Sequence, residues 1–227
     1  MAKNDSINIM CLTRAVDRYV AAITKDSEEL VKCVMSDYKR KSQTVAKNAI
    51  AKVYNVKKGK IFAGGEKGLG TMSLTGSLPG MDLGLKFTGP VLRPMAFGMR
   101  PMTPPGGEKP YKLTQKVYKG KSVQIGEFKR PKRKGRKRGV RTSDSSPTML
   151  FNLVSKKQKA AGEAVASNWL PGRRDSRRRT DISTFKTTSI AGMVRNEDVK
   201  SQIVADSEGY LLKRIEHHYK RLTQKYS

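Results

Sequence analysis

The residues most able to do chemistry in this sequence are cations packed into two short runs. The first, residues 129–141, reads KRPKRKGRKRGVR and holds Lys129, Arg130, Lys132, Arg133, Lys134, Arg136, Lys137, Arg138 and Arg141 with no acid. The second, residues 173–179, reads RRDSRRR and sets Arg173, Arg174, Arg177, Arg178 and Arg179 against Asp175 alone. Together they carry a net +13, close to half of the chain's +28, which comes from 47 Lys+Arg against 19 Asp+Glu. Like charges at this density repel one another and do not fold in isolation. A solvated loop does not require that self-repulsion, so contact with a polyanion or with an acidic neighbouring subunit explains the runs better. DNA or RNA phosphates are the first candidates, and such contact carries charge without sequence readout. The first run also has the composition of a nuclear localisation signal, a pattern that any basic protein can offer.

Other reactive types are sparse. His217-His218 is the only histidine pair, and neighbours on a helix point about a third of a turn apart, which is unsuited to holding one ion. One ring packed and one solvated is the expected outcome. Cys11 and Cys33 are the only cysteines, with no C-x-x-C, so neither a disulfide framework nor a zinc site is indicated. Gly64–Gly70 (GGEKGLG) lacks the order of a phosphate loop. Asp82 and Glu108 are isolated, and no serine elbow or carboxylate pair is present. The pattern points away from an enzyme, and no cofactor or metal is implied. Nor do zinc-finger or RNA-recognition signatures occur. The long basic runs contain no aromatic residues, and Trp169 reads as a local packing anchor.

The elements that must carry these runs follow from periodicity. Ile9, Leu12, Val16, Tyr19, Val20 and Ile23 recur at helical spacing, predicting a helix over 7–24. A second, long helix is predicted over 27–54, with carboxylates in its first turn, a stripe from Leu30 to Tyr54 and a bend near 42–44. Residues 63–110 are dense in glycine and proline and predict a long insertion loop, ordered only in an assembly and weakly protected in the free subunit, with a short strand near 91–99. Period-two alternation around Lys119-Gly120-Lys121 predicts a hairpin over 111–117 and 123–128. Further strands are expected at 148–154 and 182–190, a helix or loop at 156–168, and basic loops at 129–147 and 171–181. Asn196, followed by Glu197-Asp198, caps a final helix to Leu222 whose stripe is Val199, Ile203, Tyr210, Leu211, Ile215, Tyr219 and Leu222.

This order predicts an α+β fold in one domain spanning 1–227, with long N- and C-terminal helices packed on a small, mostly antiparallel sheet. No apolar run reaches the ~20 residues of a membrane span, so no membrane is expected. The start of the chain has no signal-peptide pattern.

Several phrases carry a family likeness. Val53–Lys58 (VYNVKK) closes the helical region, Val123–Phe128 precedes the basic loop, and Met149–Val154 (MLFNLV) follows it. Thr188–Val194 (TSIAGMV) leads into Asn196–Val199 (NEDV) and then Leu212–His218 (LKRIEHH). In these the chain resembles the minor tail protein Z family of tailed bacteriophages and prophages, the tail-completion or head–tail joining proteins. The likeness covers about two thirds of the chain. It departs at 64–107, which reads as an expansion, and at Thr188, where the family has proline in a Gly-Pro-Ser step. The resemblance implies a structural virion protein without catalytic residues, at the head–tail junction and, during assembly, in the host cytoplasm. It implies a homo-oligomeric ring, a hexamer in the family, that meets the tail tube and head connector, with double-stranded DNA as a non-specific contact. The alternative is a nucleic-acid-binding structural protein of ribosomal or nucleoid type.

Overall fold

In the computed structural model, residues 5–10, 28–63, 68–76, 83–105, 109–128, 149–152, 169–175 and 182–225 are described. They form an α+β protein with antiparallel sheets. Where one domain is expected from the sequence, the chain divides into two compact units, the first made of residues 1–91 and 188–227 and the second of residues 92–187.

The first unit is built on two long helices. Helix α1 (Glu28–Val53) starts with Glu28 and Glu29 in its first turn, where the helix dipole favours carboxylates. It runs without a break through residues 42–44, where a bend is expected; the buried Ser42 hydroxyl is satisfied by the Lys39 carbonyl at 3.2 Å. A one-turn helix, α2 (Lys58–Ile61), follows. A short helix, α3 (Ile190–Val194), precedes the long α4 (Glu197–Lys225). The α3 cap is Ser189, whose hydroxyl accepts from the Gly192 N–H at 2.9 Å, and a Cβ at Gly192 would stand 2.5 Å from Thr188 Oγ1. Four of its five residues, Ile190, Ala191, Met193 and Val194, are fully buried, and the helix packs on strands β1 (Asp5–Met10) and β3 (Gly84–Gly89). Thus the TSIAGMV phrase is a capped apolar plug on a sheet. For α4 the cap is Asn196, whose Oδ1 accepts from the Asp198 N–H at 3.0 Å.

The stripes of α1 and α4 face each other. Leu30, Val34, Tyr38, Val45, Ala46, Ala49 and Ile50 are buried on one helix, and Val199, Ile203, Ser207, Leu211, Ile215 and His218 on the other. This corrects the expectation that both helices pack chiefly on the sheet. Tyr219, expected in the stripe, is 54% exposed, and Ser207 and His218 take buried positions instead.

Three further expectations change. Residues 7–10 belong to strand β1, not to a helix; Ile7 pairs with Phe87 and Ile9 with Leu85. Ile9 begins the helical spacing with Leu12 and Val16, while Ile7 and Ile9, two apart, share one face of a strand, and pairing with β3 favours the strand. Residues 11–24 lie outside the described residues. The stretch 63–110 carries strands β2 (Thr71–Thr75) and β3, in a sheet ordered β1-β3-β2, where an insertion loop is expected. Leu83, Leu85 and Phe87 are fully buried, a period-two signal that the surrounding glycines obscure. Finally, Pro94–Phe97 is a 3₁₀ turn and not a strand; proline sits at its start and Gly98 closes it in the left-handed region.

The second unit holds two small sheets. The expected hairpin is strands β4 (Tyr111–Gln115) and β5 (Val123–Phe128), with a bulge at Leu113/Thr114. Strands β6 (Met149–Asn152), β7 (Trp169–Arg174) and β8 (Ile182–Thr184) form the other, with β7 central. Met99, Leu113 and Leu150 make a core that Met95, Tyr111, Ile125 and Trp169 flank, so Trp169 is the packing anchor expected. The Tyr111 ring stacks near Phe128 at 5.1 Å, and its hydroxyl accepts from the Leu150 N–H at 3.2 Å. Residues 156–168 lie outside the described residues.

Candidate polyanion interface

Charge is divided between the units as unevenly as the fold is. Residues 92–187 contain 25 Lys+Arg and 6 Asp+Glu, a net of +19, while the larger first unit keeps only the remaining +9. The second unit therefore carries a strong net positive charge, which attracts counter-ions and polyanions.

The two basic runs attach to this unit at one place. Residues 129–147 leave from Phe128, the last residue of β5, and rejoin at Met149, the first of β6. In the β6–β7 ladder Met149 is paired with Gly172, and Arg173 and Arg174 follow directly. The register thus sets the return point of the first run beside the start of the second. Lys129, Arg130, Lys132, Arg133, Lys134, Arg136, Lys137, Arg138 and Arg141 lie outside the described residues, as do Arg177, Arg178 and Arg179.

Arg173 and Arg174 are in strand β7, so the loop expected over 171–181 does not begin at Pro171. A proline lacks a donor but keeps its acceptor, and the Pro171 carbonyl receives the Phe185 N–H at 2.9 Å. The Arg173 guanidinium lies 5.8 Å from the centre of the Phe185 ring, with its Nε buried and without a partner among the described residues. Arg173 is thus half-buried and shared between packing and surface charge.

Sequence reasoning treats Lys119-Gly120-Lys121 only as a turn. The structure shows that turn to be the tip of an exposed basic finger: Lys116, Tyr118, Lys119, Lys121 and Val123 are all exposed. The signal was present as K-V-Y-K-G-K, an aromatic set among lysines, but the longer runs overshadow it.

A second polar cluster links the helix pair of the first unit. Asp37 Oδ2 accepts from Arg214 Nε at 2.7 Å, from Arg214 Nη2, and from His218 Nε2 at 2.9 Å. His218 is buried and His217 exposed, as expected for adjacent rings on a helix. His218 Nδ1 is buried and without a partner among the described residues. The His218 hydrogen bond, and then the Arg214 hydrogen bond, hold the Asp37 carboxyl below its ordinary value of 3.8, against a smaller opposing effect of burial. The cluster fixes helix register, and Arg214 and His218 both come from the LKRIEHH phrase.

The sign of its pH dependence follows. An unfolded chain takes up a proton at Asp37 at a higher pH than the folded chain does. The stabilisation is therefore complete above the ordinary carboxylate range and is lost as pH falls through the depressed folded value. Asp37→Asn is expected to cost about 1.5–3 kcal/mol near neutrality, the range for a hydrogen bond to a charged group. In urea melts the gap between wild type and variant should narrow at acid pH. An equal gap at both pH values would exclude an ionised Asp37 as the cause.

No group of three or more His, Cys, Asp and Glu residues that could hold a metal occurs among the described residues. An open groove of about 480 Å³ lies between α1 and the start of α4, lined by Ala49, Lys52, Val53, Glu197, Asp198 and neighbours, and Lys52 Nζ donates across to Gln202 Oε1 at 3.2 Å. Among the described residues no helix is long and apolar enough to cross a membrane.

Comparison with known proteins returns no matching family model, no matching curated protein and no matching solved structure.

Proposed function

We propose that this chain is a structural, non-catalytic virion protein at the head-proximal end of a phage tail, in the role of tail completion or head–tail joining. It assembles as a ring between tail tube and head connector, and its basic unit meets the DNA that passes through. The observation that carries this reading is the concentration of +19 in the second unit, with both basic runs attached where Met149 pairs with Gly172. So much positive charge in one small unit suits a duplex, which presents one negative charge per ≈1.7 Å of its axis. The phrases around Tyr54, Phe151, Ser189 and Arg214 support the place in the virion by resemblance. The first unit, a pair of long helices packed on each other beside a small sheet, supplies a body for ring contacts.

The test is the mass and outline of the assembled species. Mixed with phage tail-tube and head-connector proteins, the chain should form closed rings, visible by negative stain and of one discrete mass in native mass spectrometry. The second reading, a ribosomal or nucleoid component, is favoured by the same basic unit. It requires a monomer or dimer that stays on RNA or DNA at moderate salt and forms no ring.

A further inference from the structure

We infer that the β4–β5 hairpin is a DNA-contacting finger, a phosphate-binding site separate from the two arginine- and lysine-rich runs. The inference rests on the polyanion reading of the second unit and names where on the described surface that contact is made.

Three features define the finger. First, its tip is open to solvent. From Lys116 to Gln124 every residue except Val117 is exposed, and a Cβ added at Gly120 would meet nothing within 4 Å. Second, it is nonetheless built. The Lys121 N–H donates to the Tyr118 carbonyl at 3.4 Å, Gly120 takes the positive φ of 79° that the turn needs, and the Lys116 N–H is held by the Phe97 carbonyl at 3.1 Å. On its other edge β4 is tied to Arg100 through paired backbone bonds at Thr114 of 2.8 and 2.9 Å. Third, its tip carries cations and no acid of its own: Lys116, Lys119 and Lys121 lie in a stretch, 116–124, that contains no Asp or Glu. The nearest carboxylate on the hairpin, Glu127, sits across from Lys112 near the other end.

A projecting two-stranded ribbon with cations at its tip has the shape that a duplex groove admits. The major groove is ≈12 Å wide and accepts an α-helix or a two-stranded β-ribbon. Lysine ammoniums on flexible stems reach phosphates on the groove walls as point charges, with no demand on base sequence. Tyr118, 43% exposed, and Val123, 53% exposed, give the tip apolar surface for sugar edges. A protein partner is less well matched, because the cores of protein interfaces are depleted in lysine. The tip lies at the far end of β5 from Phe128, about 20 Å along a six-residue strand. The finger tip and the point where the first basic run leaves the hairpin therefore lie at opposite ends of β5, and the two sets of cations can be neutralised separately.

The experiment compares wild type with a triple variant, Lys116→Gln, Lys119→Gln and Lys121→Gln, for binding to a short mixed-sequence DNA duplex across a salt series. All three side chains are exposed, so the variant should melt as wild type does. The slope of log affinity against log salt is expected to become shallower by roughly 0.9 per lost contact, about 2.7 for three. An unchanged slope, in a set where neutralising the basic runs does flatten it, overturns the finger while leaving the polyanion reading in place. A wild-type chain with no salt-dependent duplex binding overturns both. An unchanged slope with failed assembly onto tail proteins assigns the finger to a protein neighbour and also overturns the inference.

Discussion

Leu211→Asp should remove about 3–5 kcal/mol of stability, the cost of a buried charge left without a partner. Leu211 is fully buried in the middle of α4, on the side that meets α1. Its neighbours in the stripe, Ser207 and Ile215, are equally enclosed, so the carboxylate has no route to water without parting the helices. Domains of this size hold only about 5–15 kcal/mol in total, so the variant should be largely unfolded on warming. Leu211→Met keeps volume and polarity and should cost less than about 1.5 kcal/mol, which separates charge from shape. Urea midpoints of the three proteins decide the matter. An Asp variant that melts with wild type would mean that the helix pair is not the core of the first unit.

The long helices were legible because their apolar stripes repeat over more than six turns and their ends carry capping signals. Glu28-Glu29 and Asn196 mark starts within one residue of those observed. The β4–β5 hairpin was legible from alternation around Gly120. What the helices pack against was not, since two amphipathic faces can meet each other or a sheet with the same pattern. Strand β3 was hidden by Gly84 and Gly89 at its ends, although Leu83, Leu85 and Phe87 carry the alternation. Strand β1 was misread because Ile9 also begins the helical spacing with Leu12 and Val16, and only the pairing with Phe87 and Leu85 favours the strand.

The candidate site divides in the same way. The basic runs are a matter of composition and can be read from the chain directly. Their attachment at one end of a sheet depends on the register of Met149 with Gly172, residues 23 positions apart. The contact of Asp37 with Arg214 and His218 spans 177 and 181 positions, and no local pattern announces it. Arg173 counts in the sequence as one more contact cation of the second run, and its packing on Phe185 follows only from the pairing of β7 with β8.

The central claim is that the second unit meets duplex phosphate, and the most direct measurement is the salt dependence of DNA binding before and after its basic runs are neutralised. All fourteen Lys and Arg of residues 129–141 and 173–179 are replaced by Ser in the full chain. Each phosphate contact contributes roughly 0.9 to the slope of log affinity against log salt, so losing about six contacts should flatten it by about 5. Because Arg173 also packs on Phe185, a second variant that keeps Arg173 guards against loss of fold. No duplex sequence should be preferred by either protein, as phosphates carry position and not sequence. Acidic protein neighbours would give a different result. DNA affinity would hardly change, assembly onto tail or connector would fail, and lower salt would ease the failure by screening the remaining attraction less. A markedly shallower slope in the neutralised chain is the result this account predicts; an unchanged slope, with or without normal assembly, would contradict it.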